Sequence, residues 1–205
     1  NESKKIERHL DARLQDHFKK TAQRTVELGK KHPFEWLFIS CEDNHGADFE
    51  GHLHSYLREK IRARLHAHVS DPLSKILHEV LEAEARLKKA AEDEIVQKLV
   101  GELERGGLAA SGLRDTIHRL NQFEGQSLVV THNFSKPGRI CPTHKIYYLD
   151  ELKCPVCDKK TEIVQDVVDE AIETVLKRGG TVKHITPPSK LDRYGEIGAF
   201  LKYKV

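Results

Sequence analysis

The sequence contains no methionine and only four cysteines among its 205 residues. Because position 1 is also not methionine, we interpret the chain as a fragment of a longer protein. No apolar run approaches the ~20 residues of a membrane-spanning helix, and no signal peptide is visible, so a membrane partner is not predicted. Three of the four cysteines lie in one cluster. This argues against a disulfide framework and favours a reducing, cytoplasmic location.

The sequence also has little net charge. Its 34 lysines and arginines nearly balance its 32 aspartates and glutamates, which leaves +2. Such a balance gives no strong indication of a nucleic-acid or membrane partner. Hydrophobic residues make up 38% of the chain, so its length is sufficient for one or two domains with a real core.

The sequence does contain a compact group of metal-binding residue types with the spacing C-x2-H-x9-C-x2-C. The four candidate ligands are Cys141, His144, Cys154 and Cys157. Each pair spans a tight turn, and zinc prefers four nitrogen or sulfur ligands in tetrahedral geometry. Three thiolates and one imidazole leave no position for water, so we predict a structural zinc ion. The alternative is two unrelated turns, or a knuckle that keeps its shape without a metal.

Other candidate ligands and nucleophiles are weaker. The pairs His52/His54 and His66/His68 have H-x-H spacing, and on a strand the second pair would share one face, although no third ligand is evident. Cys41 follows a predicted strand, at a position where α/β sheets often bind ligands, so it is a weak candidate for a catalytic thiol. No nucleophile stands with a base and an orienting group in a recognisable arrangement, so an enzyme is not favoured.

Apolar periodicity predicts helices that alternate with strands. The predicted helices are 3–30, 48–61, 72–104, 108–123 and 162–178; the predicted strands are 36–40, 62–69, 127–131, 146–149, 182–186 and 199–204. Strands separated by helices indicate an α/β/α layered domain. We predict that helix 1–33 continues from a missing upstream domain, that 34–133 and 161–205 form the α/β/α domain, and that 134–160 is a zinc-knuckle insertion.

Three stretches follow one another in a distinctive order. The first is helix 3–30 leading into 36–40, and the second is 104–130 followed by the Cys/His cluster. The third is 177–182 leading into the glycine-containing segment 194–203. This ordered set resembles the C-terminal domain of the archaeal and eukaryotic class I translation release factors and Pelota. It looks closest to the bacterial release-factor-like members of that family.

The resemblance implies a three-layer α/β/α sandwich like that of the kink-turn-binding ribosomal proteins, with an inserted zinc-knuckle minidomain. It also implies a non-catalytic interaction domain of a release-factor-like protein that acts at the ribosome, in termination, rescue or hibernation. The implied partners are the ribosome and a translation GTPase or a recycling ATPase. The first metal pair departs from the Cys-Cys that is common in relatives, but His144 can still ligate zinc.

The family's catalytic feature is a Gly-Gly-Gln loop in a preceding domain, and this sequence lacks it. Gly106-Gly107 is followed by Leu108, and the Gly-Gln pair at 125–126 is preceded by Glu124. We interpret both as turns that end helices. The chain itself is therefore not expected to be an enzyme, whereas a full-length parent carrying the loop would be a peptidyl-tRNA hydrolase.

The alternative function is an RNA-binding module that recognises structured RNA. The knuckle region is basic and contains Lys136, Arg139, Lys145, Lys153, Lys159 and Lys160. Basic side chains can contact phosphate, and Tyr147 or Tyr148 could stack on a base. The weak candidates for partner or RNA binding are Lys145, Tyr147, Lys153 and Lys159; scattered lysines are also ordinary solvated surface.

Overall fold

The structure, a computed structural model, describes residues 2–41 and 45–203. Residues 42–44 of the predicted loop and residue 204 of the predicted last strand lie outside this range. The helices are α1 (Glu2–Lys31), α2 (Gly46–His52), α3 (Ser55–Arg58), α4 (Leu73–Glu104), α5 (Leu113–Asn121) and α6 (Val167–Lys177). The strands are β1 (Leu37–Ser40), β2 (Ile61–Leu65), β3 (Ala109–Ser111), β4 (Gly125–Thr131), β5 (Gly138–Ile140), β6 (Tyr147–Tyr148), β7 (Glu162–Val164), β8 (Thr181–Ile185) and β9 (Ile197–Leu201). A 3₁₀ helix, Lys190–Tyr194, lies between β8 and β9.

The chain divides into two compact units after Leu87, within helix α4. The first unit contains a two-stranded parallel sheet in which β1 pairs with β2. Its core includes Ala22 of α1 together with Leu53 and Leu57. The apolar stripe predicted for α1 is buried only in part, since the side chain of Ile6 is 59% exposed.

The second unit is a three-layer α/β/α sandwich. Its sheet has the order β3-β9-β4-β8, with β4 and β8 parallel and the other neighbours antiparallel. Leu128 and Val130 of β4 pack with α5 and α6 on one face, while Val129 packs with Val96 and Leu99 of α4 on the other. This alternation follows from the opposite directions of successive side chains in a strand. The predicted fold class is confirmed.

The unit boundary and the sheets differ from the predicted domain division. The sequence places 34–133 and 161–205 in one α/β/α domain, whereas residues 34–87 belong to the first unit. There, β1 and β2 form a sheet of their own, separate from the four-stranded sheet. A short apolar run indicates a buried strand but carries no information about which strand it will pair with.

The small module that carries the Cys/His cluster has its own antiparallel sheet, with the order β6-β5-β7. The predicted insertion ends at 160, but β7 continues this sheet to Val164. The helix predicted from 162 therefore begins too early. Asp166 caps α6 instead, since its carboxylate accepts hydrogen bonds from the backbone N–H groups of Val168 and Asp169. We call residues 138–164 the knuckle module.

Two smaller segments also differ from prediction. The helix predicted over 48–61 is interrupted at Leu53, which has an extended backbone, so that α2 and α3 are separate. The strand predicted over 62–69 ends at Leu65. His66 and His68 therefore lie after the strand and not on one face of it. In the part of the chain that the structure describes, no helix combines the length and apolar character needed to cross a membrane.

Gly138 of β5 lies where the knuckle module packs against α6, and a side chain there has no space. A Cβ atom at this position would lie 2.7 Å from Val167 Cβ and 2.9 Å from the Tyr148 carbonyl oxygen. We expect Gly138→Ala to lower the free energy of unfolding by about 1–3 kcal/mol, because neither neighbour is the end of a flexible side chain. Chemical denaturation of the purified variant measures this change.

The matched control is Gly101→Ala in helix α4. The nearest atom to a Cβ there is Arg105 Nη2 at 3.9 Å, so the methyl group meets no obstacle. Alanine should stabilise the helix by about 0.5–1 kcal/mol, since glycine loses more backbone entropy on folding. Equal destabilisation by both variants would contradict the packing argument for Gly138.

Candidate metal centre

The four predicted ligands lie on two turns with the same backbone form. Each turn has a cysteine whose N–H donates to the carbonyl five residues later, and whose carbonyl accepts from the N–H four residues later. These bonds are Cys141 N–H to Ile146 O (2.9 Å), Lys145 N–H to Cys141 O (2.9 Å), Cys154 N–H to Lys159 O (2.9 Å) and Asp158 N–H to Cys154 O (2.8 Å). The fifth residue of each turn, Lys145 or Asp158, is left-handed with φ 55°. The sequence repeat C-P-x-[HC] thus folds into a structural repeat.

Three of the six separations between the ligand atoms are close to those of a tetrahedral zinc site. Cys141 Sγ lies 3.7 Å from Cys157 Sγ and 3.6 Å from His144 Nδ1, and Cys154 Sγ lies 3.7 Å from the same nitrogen. All four atoms lie within 4.8 Å of one another. Zinc bonds of about 2.3 Å to sulfur and about 2.0 Å to nitrogen imply S–S edges of about 3.8 Å and S–N edges of about 3.5 Å. The cluster can therefore hold a metal ion.

The surroundings of Cys141 and Cys154 favour the thiolate form, which is the form that binds metals. The Tyr148 hydroxyl lies 3.4 Å from Cys154 Sγ, and its hydrogen bond lowers the pKa of that thiol to about 5. The backbone N–H of His144 donates to Cys141 Sγ and lowers the pKa of that thiol as well. Both sulfur atoms belong to buried residues, whereas His144 is exposed. The ion would thus lie at the edge of the module, with the imidazole towards solvent.

Two side chains of α5 form hydrogen bonds to the knuckle module. The Asn121 amide donates to the Tyr147 carbonyl (2.7 Å) and accepts from the Tyr147 N–H (3.1 Å). At the other end of α5, Arg114 donates to Asp150 (2.6 Å) and to Glu151 (3.1 Å). The knuckle module is therefore bonded to α5 at both ends of the helix.

No protein-family model and no curated protein matches the sequence, whereas solved structures do. Dom34 of S. cerevisiae, a translation termination-like factor that interacts with Hbs1, matches with a TM-score of 0.57 and 11% identity, over 91% of this chain and 53% of Dom34. Archaeal Pelota, bound to the ribosome together with ABCE1, matches with a TM-score of 0.53 and 18% identity, over 93% of this chain and 49% of Pelota. This chain has the fold of one half of Pelota and Dom34.

The chain spans about half the length of Pelota and Dom34. It also matches the separate C-terminal domain of a peptide chain release factor from Methanosarcina mazei, over 69% of this chain and 99% of that domain, with 20% identity and a TM-score of 0.46. At these identities, the Pelota and Dom34 likeness establishes the fold. The resemblance that the sequence motifs indicate is therefore confirmed for the fold.

In this Pelota-like fold, three of the four candidate binding residues on the knuckle module already have intramolecular side-chain contacts. The Tyr147 hydroxyl donates to Glu170 (2.8 Å), and the ring packs against the main core. Lys153 pairs with Asp158 (3.2 Å), and Lys159 donates to Thr143 (3.1 Å). The exposed side chain of Lys145 lies on the first turn, next to His144. RNA binding by these four residues stays a prediction.

The weaker metal candidates are not brought together with further ligands. Among residues 2–41 and 45–203, the four-residue cluster is the only group of three or more His, Cys, Asp or Glu side chains arranged to share an ion. His54 instead caps α3, where its ring accepts from the Tyr56 N–H, and His52 bonds to Gln15. Cys41 is half-buried just after β1.

Sequence reasoning missed the roles of Tyr148, Asn121 and Arg114. It considered Tyr148 as a stacking aromatic, whereas the hydroxyl contacts a ligand sulfur. A usable signal exists for this residue: it lies between the two ligand pairs, in a predicted strand of the knuckle. Asn121 and Arg114 carry no such signal, because their partners are 26 or more residues away in sequence.

Proposed function

We propose that this chain is the non-catalytic C-terminal interaction domain of a release-factor-like translation protein that acts at the ribosome. The structural likeness to ribosome-bound Pelota and to Dom34 is the single observation that carries the proposal. The matched Pelota is bound to the ribosome together with ABCE1, and the matched Dom34 interacts with Hbs1. By extension, a translation GTPase or a recycling ATPase would bind this chain.

The metal would be zinc, with a structural role. Cys141, His144, Cys154 and Cys157 provide the nitrogen and sulfur donors that zinc prefers, and four protein ligands leave no coordination position for a reacting water. When bound, the ion would supply a cross-link between the two turns and no chemistry. Since the site needs reduced thiols, it fits a cytoplasmic location.

Ribosome co-sedimentation tests the proposal. The purified chain, loaded with zinc, is expected to pellet with ribosomes of the organism that encodes it, either alone or together with a translation GTPase or recycling ATPase from that organism. It should not release peptide from peptidyl-tRNA. Absence from the pellet under every one of these conditions would contradict ribosomal action, and peptide release would contradict the non-catalytic role.

A charge variant separates this function from the RNA-binding alternative. Replacing Lys145, Lys153 and Lys159 by glutamate should leave capture by the GTPase or ATPase unchanged. If the chain instead binds naked structured RNA through the knuckle module, affinity should fall in the variant and fall steeply with salt, because phosphate contacts release counterions. That outcome would favour the RNA-binding module over the docking domain.

A further inference from the structure

Helix α5 and the knuckle module enclose a groove that the metal centre does not use. Its volume is about 980 Å³, which lies at the upper end of the range for ligand sites. Apolar side chains from both sides line it: Leu113 and Ile117 of α5, and Ile146, Leu149 and Val156 of the module. The groove follows α5 along its whole length, about 13 Å for the nine residues 113–121 at the helical rise.

The groove is held open by bonds within the folded unit. The Asn121 and Arg114 contacts described above bridge α5 and the module at the two ends of the helix. A pre-formed groove binds a partner without the entropic cost of ordering its own walls. Val156 lies in the lining and is 65% exposed, so its apolar side chain has a free surface there.

The rim carries more negative than positive charge. Among the side chains that line the groove, Asp115 and Glu151 are carboxylates and Arg114 is a guanidinium, which pairs with Glu151 and with the neighbouring Asp150. Arg119 also lies 3.5 Å from Asp115, but it pairs with the buried carboxylate of Glu124 at 3.2 Å, which offsets its charge. A negative rim disfavours phosphate groups and favours lysine or arginine.

We propose that this groove binds a basic amphipathic segment of a partner protein, with apolar side chains in the groove and lysines or arginines at the rim. The inference rests on the proposed function as a docking domain and identifies where such docking takes place. Recognition of an apolar stripe flanked by charge is an ordinary mode of peptide binding.

The metal centre shapes one wall of this groove. Ile146 stands two residues after His144, and Val156 lies between the ligands Cys154 and Cys157. Both side chains therefore depend on the two closed turns for their positions. Peptide binding should consequently be lost when the metal is removed, although the metal itself contacts no peptide.

The experiment uses the zinc-loaded full chain and a fluorescein-labelled 18-residue peptide of leucine and lysine, with leucines at helical i, i+3, i+4 and i+7 spacing. Fluorescence anisotropy should show saturable binding. A peptide with glutamate in place of every lysine should bind at least about tenfold more weakly, as should a peptide with the same leucines and lysines in shuffled order. Equal binding of all three peptides, or no binding of the first, would overturn the proposal.

Two variants locate the binding site. Val156→Asp is expected to weaken binding by about tenfold or more, because it buries a charge in an apolar groove. Ile163→Asp is the matched control: Ile163 is 74% exposed on the same module but does not line the groove, so binding should not change. Zinc content and melting temperature are measured for both variants. Equal losses in two folded, zinc-loaded variants would contradict the assignment, as would competition by an RNA oligonucleotide.

Failure of this inference can be distinguished from failure of the proposed function. If the chain pellets with ribosomes or captures the GTPase or ATPase, but Val156→Asp does so equally well and the peptide does not bind, only the groove assignment fails. If the peptide binds in the groove but the chain binds neither ribosomes nor the GTPase nor the ATPase, only the proposed function fails.

Discussion

The Cys154→Ser variant is expected to lose its bound metal ion and, with it, the fixed structure of the knuckle module. Cys154 is buried and its Sγ lies 3.7 Å from His144 Nδ1. Serine at this position offers a neutral hydroxyl in place of the thiolate that binds zinc. Structural zinc sites contribute an apparent binding free energy of about 10–16 kcal/mol near neutral pH. Removing one of four ligands should therefore be among the most damaging single changes to this chain.

Native mass spectrometry and cobalt substitution measure this effect. The unaltered chain should bind one ion, and its Co²⁺ form should show the absorption of a tetrahedral thiolate site. Amide NMR signals of 138–164 should lose their dispersion in Cys154→Ser, whereas the strands of the main sheet, β4 and β8, keep theirs. The matched control is Cys41→Ser, since Cys41 is the one cysteine outside the cluster. Retention of one tightly bound ion by Cys154→Ser would contradict the ligand assignment.

The Cys/His cluster was predictable because the signals for it are local in the sequence. The two-residue spacing within each pair fixes a turn, and the repeated proline after each first cysteine indicates that both turns share one form. The structure confirms that the side chains of Cys141, His144, Cys154 and Cys157 come together. The α/β/α layering was predictable for a similar reason, because the alternation of periods 3.6 and 2 is a property of each segment alone.

Pairing between strands was much less predictable. β1 is an apolar run and β2 alternates apolar residues with arginines, but nothing in either segment excludes pairing with the main sheet. Strand β3 was missed entirely, since the three small residues Ala109–Ser111 show no period and gain their strand geometry from β9. Both errors concern partners that are distant in sequence, which local propensity does not specify.

The start of α6 shows how a cap overrides periodicity. Ile163 and Val164 continue the apolar spacing of the helix, so the sequence places them on it. The carboxylate of Asp166 instead accepts the N–H of Val168 at 2.9 Å, which fixes the helix start, and Ile163 becomes an exposed residue of β7. An aspartate followed by an apolar run was a sufficient signal for this boundary.

Truncation of Leu128 is expected to have the second large effect. Leu128 is fully buried in β4, with β9 on one side and β8 on the other, and it packs against residues of α5 and α6. Leu128→Ala should lower the free energy of unfolding of the second unit by about 2–5 kcal/mol, because the lost transfer energy adds to the cost of a cavity. Hydrogen exchange of the β4 amides measures this unit separately from the rest of the chain.

Leu152→Ala is the matched control for this change, since it removes the same atoms from a side chain that is 66% exposed. We expect its effect to remain within about 0.5 kcal/mol. If the two variants changed β4 exchange equally, the central position of β4 in the sandwich would be contradicted. If Leu128→Ala instead lowered β4 protection while one zinc ion stayed bound, the sheet and the metal centre would be stabilised separately. The two turns around the ion are closed by their own backbone bonds, from Cys141 N–H to Ile146 O and from Cys154 N–H to Lys159 O, so we expect this second result.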